Sequence, residues 1–175
     1  MKLLWPGFNE KGSLIIPIEW SEVPFLQNPI YVEGERFEPK DELHVTAIGK
    51  KTGSVIQKKI LLDPRIESTL QQEFEGIDWS FKLGDVVHLL SREKENPVER
   101  AVVLEQTVVL PLHMPGMTTF YQCLKSHNLV TGNTLVPSPH ITLYNRNCPG
   151  GIGVPNEETL MKLTQRIIPV SDLRF

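Results

Sequence analysis

Cysteine is scarce. Cys123 and Cys148 stand alone in 175 residues with no Cys-x-x-Cys pair, which removes the usual zinc and redox signatures and leaves a disulfide without support. A reducing compartment is the simpler expectation, and we place the chain in the cytoplasm on that basis. Long apolar runs are also missing. No segment approaches the roughly 20 residues that span a bilayer, and Met1-Lys2-Leu3-Leu4-Trp5 meets Pro6-Gly7 too soon for a secretory signal. No membrane partner is expected. Nor is there an excess of positive charge: 18 Lys and Arg stand against 21 Asp and Glu, a net charge of -3. A broad cationic surface for a long run of phosphates is thereby excluded, and a nucleic-acid partner would have to be held locally. No charge block, low-complexity tract or long linker divides the chain. A single domain over 1–175 is expected, monomeric and without an obligate protein partner.

What is present is ordinary globular composition, 40% hydrophobic and 22% charged. Pro6, Pro17, Pro24 and Pro29 make residues 1–29 read as a largely irregular arm with one short strand at Leu14-Ile15-Ile16. Alternation predicts strands over Ile30 to Phe37 and Glu42 to Ile48. Lys51-Thr52-Gly53-Ser54 reads as a turn leading to a paired strand over Val55 to Leu62, which would make the 42–48 strand central in a small sheet. Asp63-Pro64 opens a helix in which Ile66, Leu70 and Phe74 share a face. Trp79 to Leu83, Val86 to Ser91 and Glu99 to Leu110 read as hairpin strands, with a turn at Glu95-Asn96-Pro97. Met117, Phe120, Tyr121 and Leu124 mark a second helix. Pro139 to Tyr144 is a further strand, and Asn156 caps a last helix carrying Leu160, Leu163 and Ile167 on one face. This order predicts an α+β fold.

Two of these strands carry the same string, His44-Val45-Thr46 and His140-Ile141-Thr142. Side chains alternate along a strand, so His44 and Thr46 share one face while Leu43, Val45 and Ala47 take the other. Downstream, His140, Thr142 and Tyr144 share a face opposite Ile141 and Leu143. Each strand thus presents an imidazole and a hydroxyl while anchoring itself with aliphatic residues. Two imidazoles that titrate near neutrality supply a general base and a general acid, and two hydroxyls supply donors for a developing anion.

With these motifs the chain resembles the two-histidine (2H) phosphoesterase superfamily, whose members carry two H-h-[ST]-h motifs. The matching stretches are Glu42-Leu43-His44-Val45-Thr46-Ala47-Ile48-Gly49 and Pro139-His140-Ile141-Thr142-Leu143-Tyr144. The helix with Phe120, Tyr121 and Leu124 sits where that family has one, and the likeness covers about residues 30 to 168. The resemblance implies two pseudo-symmetric lobes of antiparallel sheet, with flanking helices, around a central cleft lined by the motif strands. It also implies breakdown of a phosphodiester, typically a 2′,3′-cyclic phosphate or an RNA terminus, without cofactor or metal. His44 and His140 would then be catalytic, and Thr46 and Thr142 would bind phosphate. The alternative is a catalytically silent protein that binds a nucleotide or RNA end in the same cleft.

Other residues are weaker candidates. Tyr144 fits stacking on a base or bonding a phosphate as well as plain strand packing. Arg146 and Lys50, just beyond the motifs, could add positive charge to a substrate site, although solvated surface is the plainer reading. The Gly150-Gly151-Ile152-Gly153 loop lacks the strand and spacing of a dinucleotide fingerprint. Cys123 and His127 have helical spacing but no third ligand, so core packing and a helix-terminal role are preferred. His88 and His113 read as structural.

Overall fold

Aliphatic residues at alternate positions drive the first pairing. In the computed structural model, which describes residues 1–25, 27–96 and 101–173, β1 (Leu14–Ile18) runs antiparallel to β4 (Leu43–Ile48). Leu14, Ile16, Ile18, Leu43, Val45 and Ala47 all enter the main core. The second sheet is strongly curled. Its order is β2 (Ile30–Val32), β3 (Glu35–Pro39), β8 (His140–Arg146), β7 (Ala101–His113), β6 (Val86–Asn96) and β9 (Thr164–Pro169), with the short β5 (Lys82–Leu83) also on β7. All pairings are antiparallel. Helices α1 (Lys50–Leu62), α2 (Arg65–Gly76) and α3 (Pro115–Ser126) contribute Ile56, Leu70, Phe74, Phe120 and Leu124 to the main core. A short α4 (Glu157–Leu163) packs over the opposite face of the curled sheet, where Leu160 joins Leu90, Val109, Cys148, Ile152 and Val154 in a second cluster.

The expected α+β class is what is found, with antiparallel sheets and each motif in a strand. The sheets are unequal, two strands against seven among the described residues. Several local expectations fail. Lys51 to Leu62 is not a turn and strand but most of α1. Its β-branched residues suggested a strand, yet within it only Gly53 and Ile56 are buried while Val55, Leu61 and Leu62 are exposed, a one-sided burial that suits a surface helix. The hydrogen-bonded partner of β4 is therefore β1, so the arm over 1–29 is not an appendage. Trp5 joins it by packing edge-on to Phe74 at 5.4 Å between ring centroids.

Ile30 to Phe37 is a hairpin, β2 and β3, rather than one strand. Of Trp79 to Leu83 only Lys82–Leu83 is strand; Trp79 is a core residue whose Nε1 donates to the Phe74 carbonyl at 2.9 Å. The last helix ends at Leu163, because Thr164, Ile167 and Ile168 favour extended structure and pair as β9 with β6. Its N-terminus is as expected: Asn156 Oδ1 accepts from Thr159 N at 2.8 Å. Pro97 and Glu99, in the turn and strand expected there, lie outside the described residues.

Gly53 shows how tightly α1 crosses the arm. A Cβ there would stand 1.8 Å from the Gly12 carbonyl oxygen. In an open helix Gly→Ala gains about 0.5–1 kcal/mol. Here Gly53→Ala is expected to lose about 3 kcal/mol from overpacking, seen as a lower urea midpoint at unchanged slope. A midpoint at or above the parent value would contradict this crossing.

Candidate active site

The approach of the two motif strands begins in β3. Pro39 pairs with Tyr144, and Lys40 N–H donates to the Leu143 carbonyl at 2.9 Å, so the chain leaves the edge of β8 and enters β4 close beside it. Val45, Ala47, Ile141 and Leu143 are fully buried in one core. His44, Thr46, His140 and Thr142 are half-buried on the other side of their strands. The imidazoles are close enough for the charge of His140 to lower the pKa of His44.

Burial is the main cause that lowers the His44 pKa, followed by the positive charge of Lys40; Glu42 opposes, and His140 and Lys11 add to the lowering. Burial also lowers the pKa of His140, offset in part by its bond to Ser138. That bond, Nδ1 to the Ser138 carbonyl at 2.8 Å, identifies a protonated Nδ1, since a carbonyl only accepts. Neutral His140 therefore carries its lone pair on Nε2. His44 Nδ1 is buried without a hydrogen-bond partner among the described residues.

Tyr144 requires a correction. Along β8, His140 lies opposite Pro111 and Thr142 opposite Val109, but Tyr144 lies opposite Val108, so Leu143 is an extra residue in the strand. Such a bulge reverses the alternation. Tyr144 turns into the main core, fully buried with its ring centroid 6.2 Å from that of Trp20, and burial pushes its hydroxyl up to about 12. It does not share the face of the motif residues. Arg146 is engaged elsewhere: it pairs with Glu35 at 2.7 Å and donates to Gln106 Oε1 at 2.7 Å. Lys50 opens α1 and lines a hollow of about 390 Å³ together with Thr46 and Lys51. Gly49 and Thr52 line it as well, so the start of α1, which has no side-chain cap among the described residues, borders the hollow.

The bulge gives Asn145 the place that sequence reading assigned to Tyr144. Asn145 stands opposite Thr107, accepts from the Thr107 hydroxyl and donates through Nδ2 to the Pro149 carbonyl at 3.2 Å. Lys40 Nζ donates to the same carbonyl at 2.9 Å. These bonds hold the glycine-rich loop down, with Gly151 at φ +77° and the position of its absent Cβ 3.3 Å from the Thr142 methyl. The loop then continues to Val154, Pro155 and Asn156, which line the hollow at Thr46. It thus touches both threonine neighbourhoods. The glycine-rich loop is visible in sequence as a weak candidate, but Lys11, Lys40 and Asn145 carry no sequence signal for this site. A lysine in a turn carries no signal of its target, and a bulge carries none at all.

The remaining candidates lie apart. His88 is buried in β6 with Nδ1 3.0 Å from Thr164 Oγ1. His127 Nε2 lies 3.0 Å from Glu73 Oε1 at the end of α3, and burial with the Glu73 bond pushes the Cys123 thiol up to about 11. His113 lines a separate hollow beside Lys82. Among the described residues no three His, Cys, Asp or Glu side chains are grouped to hold a metal ion, and no helix is long and apolar enough to cross a membrane. No family model, curated protein or solved structure matches the chain.

The histidine coupling has a direct signature. His44 and His140 should both titrate below the ordinary value near 6.5 when followed by NMR. Removing one positive neighbour in His140→Ala should move the His44 pKa upward. A His44 titration indifferent to His140 would mean that the imidazoles are not coupled.

Proposed function

We propose that the protein is a metal-independent phosphodiesterase acting on a 2′,3′-cyclic phosphate or an RNA terminus, with His44 and His140 as the acid–base pair. The observation that carries this reading is the convergence of two half-buried imidazoles, each with a threonine two residues on, with Lys40 and Lys11 near enough to act on His44. In-line displacement at phosphorus needs one neutral imidazole to take the proton of the attacking water and one imidazolium to protonate the departing oxygen. Neutral His140 offers Nε2 for the first task, and substrate orientation decides which histidine takes it. Thr46 and Thr142 donate to the non-bridging oxygens, where preorganised donors favour the charge of the transition state. Lys40 and Lys11 supply positive potential that the chain as a whole, at -3, lacks. Lys50 adds to it, whereas Arg146 does not, being held by Glu35 and Gln106. The resemblance in the motif stretches is consistent with the same chemistry.

His44→Ala and His140→Ala should each lower kcat on 2′,3′-cyclic nucleotides by about 10²–10⁴. Thr46→Val or Thr142→Val should lower it by about a hundredfold, with the wild-type melting temperature kept. Activity should survive a strong chelator. Most of the turnover surviving in either histidine variant would remove the mechanism, and tight binding of the nucleotide without turnover in the wild type would make the site a sensor instead.

The pH dependence follows from the directions of the pKa shifts. kcat/KM requires one neutral and one protonated histidine, so it is bell-shaped and peaks between their two pKa values. Both values lie below the ordinary one near 6.5. The optimum is therefore expected on the acid side of 6.5, with the rate falling as pH rises through neutrality and the last imidazolium is lost. A profile still rising through neutrality would be incompatible with this pair.

A further inference from the structure

The hollow at Thr46 has features that the acid–base pair does not use. Gly49, Lys50, Lys51 and Thr52 all line it. Successive helical residues point about 100° apart, so four in a row meet one space only where it lies across the end of α1. The first amide of α1 with a backbone acceptor is that of Gly53, which donates to the Gly49 carbonyl at 2.9 Å. The N–H groups of Lys50, Lys51 and Thr52 are left at that end, and no side chain caps them among the described residues. A carboxylate is the usual complement to such an end. Instead α1 opens on two lysines with no acid in its first turn, charges that the helix dipole disfavours. No Asp or Glu lines the hollow among the described residues.

Helix α3 adds Tyr121 to the lining. This residue is only 2% exposed, and its hydroxyl has no hydrogen-bond partner among the described residues. The hydroxyl is not sealed off as the unpartnered Nε1 atoms of Trp5 and Trp20 are, so its opening is onto the hollow that the residue lines. Burial pushes this phenol up to about 12, which keeps it a neutral O–H donor. Asn156 commits Oδ1 to Thr159 N, leaving Nδ2 as its donor. Donors from α1, from α3 and from the residue that caps α4 thus surround one space, with two ammonium groups and no carboxylate. A phosphate monoester, with up to two charges and three terminal oxygens, matches that set. The single charge of a diester would leave part of it unanswered.

We propose that this hollow is a second phosphate site, which holds a phosphate monoester of the substrate while the diester that reacts lies at the histidines. Thr46, on the same face of β4 as His44, joins the two positions. That the second phosphate belongs to the substrate rests on the phosphodiesterase reading; the anion site does not. The test titrates inorganic phosphate at low ionic strength, by calorimetry, into the wild type, Tyr121→Phe and Tyr121→Phe/Lys51→Gln. Tyr121→Phe removes one oxygen from a packed ring, so it should keep the melting temperature while weakening phosphate about tenfold, as loss of a hydrogen bond to a charged group does. Adding Lys51→Gln should weaken it further. In parallel, kcat/KM is compared on adenosine 2′,3′-cyclic phosphate with and without a 5′-phosphate. The wild type should favour the 5′-phosphorylated compound about tenfold, and the variants should lose that preference. Equal phosphate affinity in the wild type and both variants would overturn the site. Affinity that depends on the two side chains, with no preference between the nucleotides, would put free phosphate in the hollow and overturn its part in substrate choice. If neither nucleotide is hydrolysed while phosphate binding still depends on Tyr121 and Lys51, the phosphodiesterase reading falls and the anion site stands. Equal hydrolysis of both nucleotides with unchanged phosphate affinity in the variants sinks the second site alone.

Discussion

The site depends on one constraint, the two-residue period of β4 and β8 locked by a shared core. Val45 and Ala47 from one strand and Ile141 and Leu143 from the other are fully buried in the same cluster. Burying Val45, Ile141 and Leu143 contributes about 1.5–3 kcal/mol each, and Ala47 less, and a shift of register by one residue would exchange all four for His and Thr. Such a slip would also bury polar groups without partners, at a further cost of about 1–3 kcal/mol each. The imidazoles and hydroxyls are thus held at the surface of their strands by what lies behind them. Pairing of β1 with β4 extends the lock, because Leu14, Ile16 and Ile18 add their own weight to the same core.

A second constraint works against the first at a single position. The bulge at Leu143 stops the alternation just after the His140–Thr142 motif, sending Tyr144 into the core and bringing Asn145 round to the site face. Without it a bulky phenol would sit beside Thr142. With it, a short amide there has exchanged bonds with Thr107 and the Pro149 carbonyl, and the loop it secures can lie against Thr142 through Gly151. Any other residue at 151 would meet Thr142 closely while also adopting a left-handed backbone. The same strand therefore supplies two motif residues and the anchor of the loop beside them.

These two constraints also explain what could be read in advance. The motif strands were legible because alternation of polar and aliphatic residues is a local pattern, and α2, α3 and the Asn156 cap were legible from helical spacing and capping chemistry. Val55 to Leu62, expected as a strand, is helical: of its apolar residues Ile56 is buried while Val55, Leu61 and Leu62 are exposed, a one-sided burial that a surface helix provides. The importance of the arm was hidden because the partner of β1 lies far along the chain, beyond the β2–β3 hairpin, and pairing at that range leaves no local trace. At the site, the four motif residues are legible in sequence, whereas the true face of Tyr144 and the presence of Lys11, Lys40 and Asn145 are not. Register shifts and long-range pairing belong to the tertiary fold, not to any window of sequence.

The electrostatics of the site tie its parts together. Burial favours the neutral form of both imidazoles, and Lys40 and Lys11 add to this at His44, yet acid–base chemistry on a phosphodiester needs one imidazolium. A phosphodiester carries a negative charge, and an anion beside two histidines favours their protonated form. On the proposed reading, the substrate itself offsets Lys11 and Lys40 and raises the proton affinity of the pair as it binds. The empty site would then hold little of the protonated form near neutrality, and the acid would be assembled together with the group it serves. The lysines that depress the His44 pKa are thus the same groups that draw in the charge which restores it, so the site couples occupancy to protonation through its own charges.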